Sequence, residues 1–291
     1  MATSTPNISI IIPTYNEAHG LRQILPELFN QYPGAEIIVV DDGSTDDSGK
    51  VCEEWNVKHI KHPYNMGNGA AVKSGARAAT GSILVFMDAD GQHTPDEINT
   101  MLEKLDDGYD MVVGARSRKS QASLGRLLGN SLYNKFASWI VGHNIEDLTS
   151  GFRAVRAKHF KEFLHLLPNG FSYPSTITMA FFRSGYPVNY VPINVSRRVG
   201  NSHIKPMKDF VRFLLIIFRI GTLYAPLKIF LPISVANFVM GLGYYLYTYT
   251  VSGRFTNMSA LLFIASLLIF LIGLISEQIT MLLYQKTNIR D

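Results

Sequence analysis

Ile83-Leu84-Val85-Phe86-Met87-Asp88-Ala89-Asp90-Gly91-Gln92-His93-Thr94-Pro95 is five apolar residues that end on two acids, one residue apart. A short apolar run bounded by polar, turn-forming residues reads as a strand buried on both faces, as in a parallel sheet. The pattern occurs twice more upstream. Ile8 to Ile12 leads into Pro13-Thr14-Tyr15-Asn16-Glu17, and Glu36 to Val40 leads into Asp41-Asp42-Gly43-Ser44-Thr45-Asp46. Between these runs, Leu21 to Tyr32, Asp46 to Trp55 and Gly69 to Ala79 have helical spacing. Strand, helix, strand, helix, strand predicts a doubly wound α/β sheet, whose ligands sit at the carboxyl ends of the strands.

Polar clusters at three successive strand ends are therefore candidates for a site. Asp46 and Thr94 are read as helix caps. Asp88 and Asp90 are two hard oxygen donors at the end of an apolar strand, and they suit Mg²⁺ or Mn²⁺ completed by a substrate diphosphate and water. Other nucleotide motifs fail. Gly67-Asn68-Gly69-Ala70-Ala71-Val72 lacks the third glycine of a dinucleotide fingerprint, and Lys73-Ser74 lacks the glycine a P-loop needs before its lysine. The Asn65 to Gly69 turn is expected to let backbone approach a ligand closely.

The 291 residues are 47% hydrophobic and 17% charged, enough to fold a core and too apolar for a disordered chain. The single cysteine, Cys52, excludes a disulfide framework and suits a reducing compartment. The short polar start, Met1 to Asn7, is expected to hold no signal peptide, which leaves the first domain in the cytoplasm. Charge is segregated: net −10 over residues 1–110, +10 over 111–205 and +4 over 206–291. Acidic groups suit a metal, and basic groups suit phosphates or an anionic membrane surface.

Ile229 to Thr250 and Phe255 to Ser276 are uncharged runs of 22 residues. Each is about 33 Å of helix, enough to cross a bilayer core. Ser252-Gly253-Arg254 makes the turn of a hairpin. Lys228, Lys286 and Arg290 outweigh Arg254 and place both hairpin ends in the cytoplasm. Tyr244, Tyr245, Tyr247 and Tyr249 then fall at the outer interface. From Pro206 to Tyr224, Phe210, Phe213, Leu214, Ile217 and Leu223 alternate with Lys208, Arg212 and Arg219, the pattern of an amphipathic helix on the membrane surface.

Ile-Pro-Thr-Tyr-Asn-Glu, Asp-Asp-Gly-Ser-Thr-Asp, Asp-Ala-Asp-Gly-Gln-His-Thr-Pro and Thr149-Ser150-Gly151-Phe152-Arg153, in this order, resemble glycosyltransferase family 2. The likeness is to its polyprenyl-phosphate branch, the dolichol-phosphate mannose synthase and undecaprenyl-phosphate glycosyltransferase type. It runs over residues 8–205, and the hairpin resembles the membrane anchor of many such enzymes. It implies an α/β fold of the GT-A kind, Rossmann-like with a mostly parallel sheet. The domains would be 1–205 catalytic, 206–225 a juxtamembrane helix, and 226–291 two transmembrane helices with a short cytoplasmic tail.

By the resemblance, Pro13, Tyr15, Glu17 and Asp42 line the nucleoside pocket, and Asp88, Asp90 and Gln92 hold Mg²⁺ or Mn²⁺ on the donor diphosphate. Arg116, Arg126 and Asn130 match positions that hold the acceptor lipid phosphate, and Arg forks suit phosphate oxygens. Arg198 and Lys205 belong to a loop that resembles one closing over the donor. Two residues separate Ser202 from Lys205 where the eukaryotic and archaeal pattern has none. Asp147 sits where members with hydroxyl acceptors place a base, and here it is read as structural or as positioning the sugar. Arg118 and Lys119 are read as solvent or headgroup contacts, and His143, His159 and His165 as structural.

The implied reaction is inverting, metal-dependent sugar transfer from GDP-mannose or a UDP-hexose to a polyprenyl phosphate. Asp88, Asp90, Arg116 and Arg126 carry it. The implied partners are donor, lipid phosphate and bilayer, not nucleic acid, and a homo-oligomer stays open. The implied location is the bacterial inner membrane or its equivalent, with the catalytic domain cytoplasmic. The alternatives are a polysaccharide or glycolipid glycosyltransferase with a hydroxyl acceptor, and a non-catalytic membrane tether. A processive synthase would carry Gln-x-x-Arg-Trp, and neither Trp55 nor Trp139 follows an arginine.

Overall fold

The computed structural model describes residues 7–91, 93–116, 124–170, 172–193, 218 and 221–288, with the side chains of 124–130 and 283–288 excepted. Gln92, Arg118, Lys119, Arg198 and Lys205, the Arg126 and Asn130 side chains, and most of the expected juxtamembrane helix lie outside the described residues. The chain divides into two compact units, Met1–Ser138 with His143–Ile204, and Trp139–Gly142 with Lys205–Asp291.

The first unit is built on β1 (Ile8–Thr14), α1 (Ala18–Gln31), β2 (Glu36–Asp41), α2 (Ser48–Glu54), β3 (Lys58–Lys61), α3 (Asn68–Ala78) and β4 (Ile83–Phe86). It continues with α4 (Asp96–Asp106), β5 (Met111–Arg116), α5 (Leu124–Val141), β6 (Arg153–Arg156), α6 (Ala157–Glu162), α7 (Tyr173–Arg183) and β7 (Val188–Ile193). The strands form one seven-stranded sheet in the order β3-β2-β1-β4-β6-β5-β7. All pairings are parallel except those of β6, which runs antiparallel to both β4 and β5.

The three apolar runs read as strands are β1, β2 and β4, adjacent in the sheet. They are apolar throughout because both faces are covered. Ile10 and Ile12 join a core with Leu21, Leu25 and Leu28 of α1, Val51 of α2 and Met101 of α4. Ile11 faces the other way, against α3, where a Cβ on Gly75 would stand 2.4 Å from Ile11 Cγ2. Only a glycine lets that helix lie so close.

Register then aligns the strand ends. Thr14 is level with Asp41, and Ile11 with Phe86, so the segments after β1, β2 and β4 emerge side by side. From β1 the chain goes through β2 to β3 on one side, then returns to β4 on the other. The crevice at such a reversal is where an open α/β sheet binds its ligand.

Helix α1 begins at Ala18, three residues earlier than its apolar spacing indicates, because a neighbouring loop caps it. Asp46 Oδ2 accepts the Ala18 N–H at 3.0 Å, and Ser48 Oγ accepts that of Glu17 at 3.3 Å. Asp46 is thus a cap, as expected, but for α1 as well as for Ser48 of α2. Thr94 receives the Glu97 N–H on its backbone carbonyl, and Pro95, at the N-cap of α4, makes no side-chain cap bond.

The second unit contains two long apolar helices, Pro226–Ser252 and Asn257–Asn288. Over their most apolar stretches only 11% and 17% of residues are buried, whereas core helices of a soluble protein would be mostly buried. Both are long and apolar enough to cross a membrane. The first ends on Gly253, whose φ of 62° is the left-handed geometry of a helix C-cap. Within the pair, Ser234 Oγ donates to the Ser266 carbonyl at 2.8 Å, and Ser266 Oγ returns a bond to the Ser234 carbonyl at 2.9 Å. A reciprocal bond of this kind satisfies both hydroxyls where lipid offers no partner.

Candidate active site

A cavity of about 400 Å³ opens where β1, β2 and β4 end, lined by Pro13, Thr14, Tyr15, Glu17, Asp42, Asn65, Asn68, Ala71, Asp88, Ala89 and Asp90. Six residues chosen from sequence, Pro13, Tyr15, Glu17, Asp42, Asp88 and Asp90, come together in it.

One wall is formed by two loops that bond to each other. Asn16 takes a left-handed φ of 57°, and its Oδ1 accepts the Thr45 N–H at 2.8 Å while its own N–H goes to Ser44 Oγ at 2.9 Å. Asp41, fully buried, turns inward to accept the Ser44 N–H at 2.7 Å, so Asp42 is the acid left at the cavity. Asp42 Oδ1 accepts the Met66 N–H at 2.9 Å and Oδ2 that of Gly67 at 2.7 Å. A histidine that sequence reasoning missed, His62, meets Oδ1 at 2.6 Å through Nδ1.

The opposite wall carries Asp88 and Asp90. Helix α1 presses on the backbone between them, since a Cβ on Gly20 would fall 1.7 Å from the Ala89 carbonyl oxygen. A Cβ on Gly151 would stand 3.1 Å from Asp88 Oδ2, so that glycine leaves the carboxylate its space. Among the described residues no cluster of three or more His, Cys, Asp or Glu could hold a metal. Two carboxylates still fit a Mg²⁺-like ion, which uses one or two protein oxygens and fills its shell with phosphate oxygens and water.

The Asn65 to Gly69 turn departs from expectation. Its side chains Asn65 and Asn68 line the cavity, but its glycines make room for protein and not for a ligand. A Cβ on Gly67 would meet the Asn169 carbonyl oxygen at 2.6 Å, and one on Gly69 that of Pro168 at 2.0 Å.

Arg116, at the end of β5, does not line this cavity. Its Nε donates to Asp147 Oδ2 at 2.7 Å, and its Nη2 to Asp147 Oδ1 at 3.0 Å and to Thr149 Oγ1. Burial opposes charge on both groups, yet the pairing prevails: it raises the pKa of Arg116 and lowers that of Asp147. Asn134 fixes the Asp147 loop, donating to the Glu146 carbonyl and accepting the Leu148 N–H at 3.1 Å. His93 stacks on Phe152 at 4.6 Å between ring centres, and burial lowers its pKa to about 4, which keeps it neutral.

Arg153, the first residue of β6, is fully buried, with the Ser150 and Pro174 carbonyls and Thr178 Oγ1 as acceptors. Its guanidinium lies 5.7 Å from the Tyr173 ring centre.

Residues 9–164 match the family model described as Glycosyl transferase family 2, and residues 225–282 that of the GtrB C-terminal hairpin. Polyprenol monophosphomannose synthase of Mycolicibacterium smegmatis is 31% identical over 209 residues, 67% of this chain and 79% of that protein. Undecaprenyl-phosphate mannosyltransferase of Micrococcus luteus is 30% identical over 211 residues, 66% of this chain and 85% of the relative. A similar solved structure is glucosyl-3-phosphoglycerate synthase of Mycobacterium tuberculosis in complex with Mn²⁺, uridine diphosphate and glucosyl-3-phosphoglycerate. Its TM-score is 0.55 at 17% identity, over 73% of this chain and 80% of that one. At that identity the likeness is one of fold.

Proposed function

This chain belongs to glycosyltransferase family 2, with a GT-A fold followed by an apolar helical hairpin, and from that membership we propose that it moves a sugar from a nucleotide-sugar to a polyprenyl phosphate. The attacking phosphate oxygen forms a bond to the anomeric carbon as the bond to the diphosphate breaks, with inversion, and nucleoside diphosphate is released.

The observation that carries the acceptor assignment is the Arg116–Asp147 pair. An alcohol needs a base to take its proton, and the acid at the corresponding position here is held through both oxygens by an arginine, its pKa lowered. A phosphate monoester needs none, being at least singly negative at neutral pH with a second pKa near about 6. The names of the relatives quoted above, both prenyl-phosphate mannose enzymes, support the same class.

In this reading Pro13, Tyr15, Glu17 and Asp42 bind the nucleoside, and Asp88 and Asp90, with Gln92, hold Mg²⁺ or Mn²⁺ beside the diphosphate. When bound, the cation offsets charge on the leaving diphosphate. Arg116, with Arg126 and Asn130 of α5, orients the acceptor phosphate, and Arg198 and Lys205 close over the donor. Residues 1–205 form the catalytic domain, 206–225 lie on the membrane surface, and the hairpin of 226–291 anchors the chain.

Each arginine contact to the acceptor phosphate is worth about 1.5–3 kcal/mol. Arg126→Ala is therefore expected to raise the apparent KM for polyprenyl phosphate roughly tenfold to over a hundredfold, with nucleotide-sugar binding nearly unchanged. Nucleotide release measured against a panel of donors, with undecaprenyl and dolichyl phosphate, checks this and identifies the sugar. Equal use of a free alcohol or a growing glycan, with Arg126→Ala indifferent, would return the hydroxyl-acceptor reading.

The excess of Lys228, Lys286 and Arg290 over Arg254 supports a hairpin with both ends in the cytoplasm. With Cys52 replaced, a membrane-impermeant thiol reagent on intact cells is expected to label Ser252→Cys. Thr287→Cys should be labelled only after permeabilisation, and the reverse pattern would invert the topology.

A further inference from the structure

We propose that His62 is a positioning residue for the donor nucleoside, acting through Asp42; this rests on the reading of Asp42 as part of the nucleoside pocket. His62 follows β3 and is buried, with 7% exposure. Its Nδ1 lies 2.6 Å from Asp42 Oδ1 and its Nε2 2.9 Å from Ser74 Oγ on α3. An ionised carboxylate only accepts, so Nδ1 carries the proton. In neutral imidazole Nε2 then accepts from the Ser74 hydroxyl. In imidazolium Nε2 donates to the same oxygen, and the bond to Asp42 is kept in either state.

Counting acceptor positions shows what this tie does. A carboxylate offers about four lone-pair positions. Oδ1 receives His62 and the Met66 amide, and Oδ2 the Gly67 amide, so three are filled by described residues. The remaining one, on Oδ2, belongs to the oxygen that His62 does not hold. With Oδ1 fixed from behind, the carboxylate cannot rotate, and its last acceptor position is held in place for an N–H. Uracil and guanine both carry such a ring N–H, so the device suits either nucleotide and specifies the donor group, not the sugar. Ser74 fixes the far end of the imidazole, which makes a chain from the middle of α3 to the cavity.

Amide isosteres separate this role from simple packing. Asn places its N–H where His Nδ1 stands, whereas Gln places its amide at Nε2 and leaves Asp42 Oδ1 without a side-chain donor. In the full-length protein, with UDP and GDP as probes and Mg²⁺ present, His62→Gln is expected to weaken binding of the accepted nucleotide at least about tenfold. The KM for donor should rise with kcat at saturation unchanged, and His62→Asn should restore binding to within about threefold of wild type. In an Asp42→Asn background, His62→Gln should add nothing further.

Cooperative thermal unfolding of each variant is checked first. Should His62→Gln not melt cooperatively, His62→Ser is measured in its place against the same outcomes. Wild-type affinity in the variant without the Asp42 donor, or equal loss in the Asn and Gln variants, overturns the positioning role alone. A wild-type protein that binds neither UDP nor GDP overturns it together with the donor reading beneath it.

Discussion

Asp90→Ala is expected to lower sugar transfer by roughly three orders of magnitude, the equivalent of about 4 kcal/mol of lost charge stabilisation. Asp88 and Asp90 share one wall of the cavity, and two carboxylates facing a diphosphate repel it unless a cation lies between them. A chelator should have the same effect on the unaltered protein, and added Mg²⁺ or Mn²⁺ should reverse it. The substitution removes no core side chain, so the melting temperature should hold. Nucleotide release with donor and lipid phosphate measures the loss. Full turnover in either test would remove the metal from the mechanism.

Gly20→Ala is expected to cost both stability and activity although the residue touches no ligand. The new Cβ would fall 1.7 Å from the Ala89 carbonyl oxygen, and the obstacle is backbone that cannot rotate aside. Overpacking of this kind costs about 1–3 kcal/mol. At about 2–4 °C per kcal/mol for a domain of this size, the melting temperature should fall by several degrees. The clash relaxes by moving the segment that bears Asp88 and Asp90. A displacement of about 1 Å there lowers turnover about a hundredfold. Gly34→Ala, where a Cβ meets nothing within 4 Å, is the control. Parity between the two variants would mean that α1 does not constrain the acidic loop.

The elements legible in the sequence are those whose burial is simple. β1, β2 and β4 are central strands covered on both faces, so each carries a run of Ile, Val, Leu or Phe, with the polar residues mostly at the strand ends. Edge strand β3, Lys-His-Ile-Lys, is partly exposed and carries no such run. β6 begins and ends on arginine, and Arg153 is buried because neutral acceptors and an aromatic ring surround it, an arrangement hydropathy cannot register.

The same division holds for the site. Asp42, Asp88 and Asp90 stood out because acids directly after apolar strands have few structural explanations. His62 did not, since its significance depends on β3 and α3 meeting behind Asp42. Gly20 had one usable signal, a glycine near the start of an otherwise well-formed helix, where it costs stability relative to alanine. Gly67 and Gly69 signal a close backbone approach in the sequence, but only the tertiary structure brings Pro168 to Gly170 against them.

The antiparallel strand β6 also sets an order of assembly during synthesis. β4 and β5 are successive strands, yet neither pairs with the other, because β6 lies between them. Until residues 153–156 leave the ribosome, β4 is an open sheet edge beside a finished β1, and β5 has no partner. β7, ending at Ile193, arrives later still. A nascent chain that stalls between α4 and β6 therefore exposes an apolar, pairing-competent edge, the kind of surface that aggregates. For about forty residues of translation the acidic half is made but not closed, and the interval ends when one short strand enters between two that were already waiting.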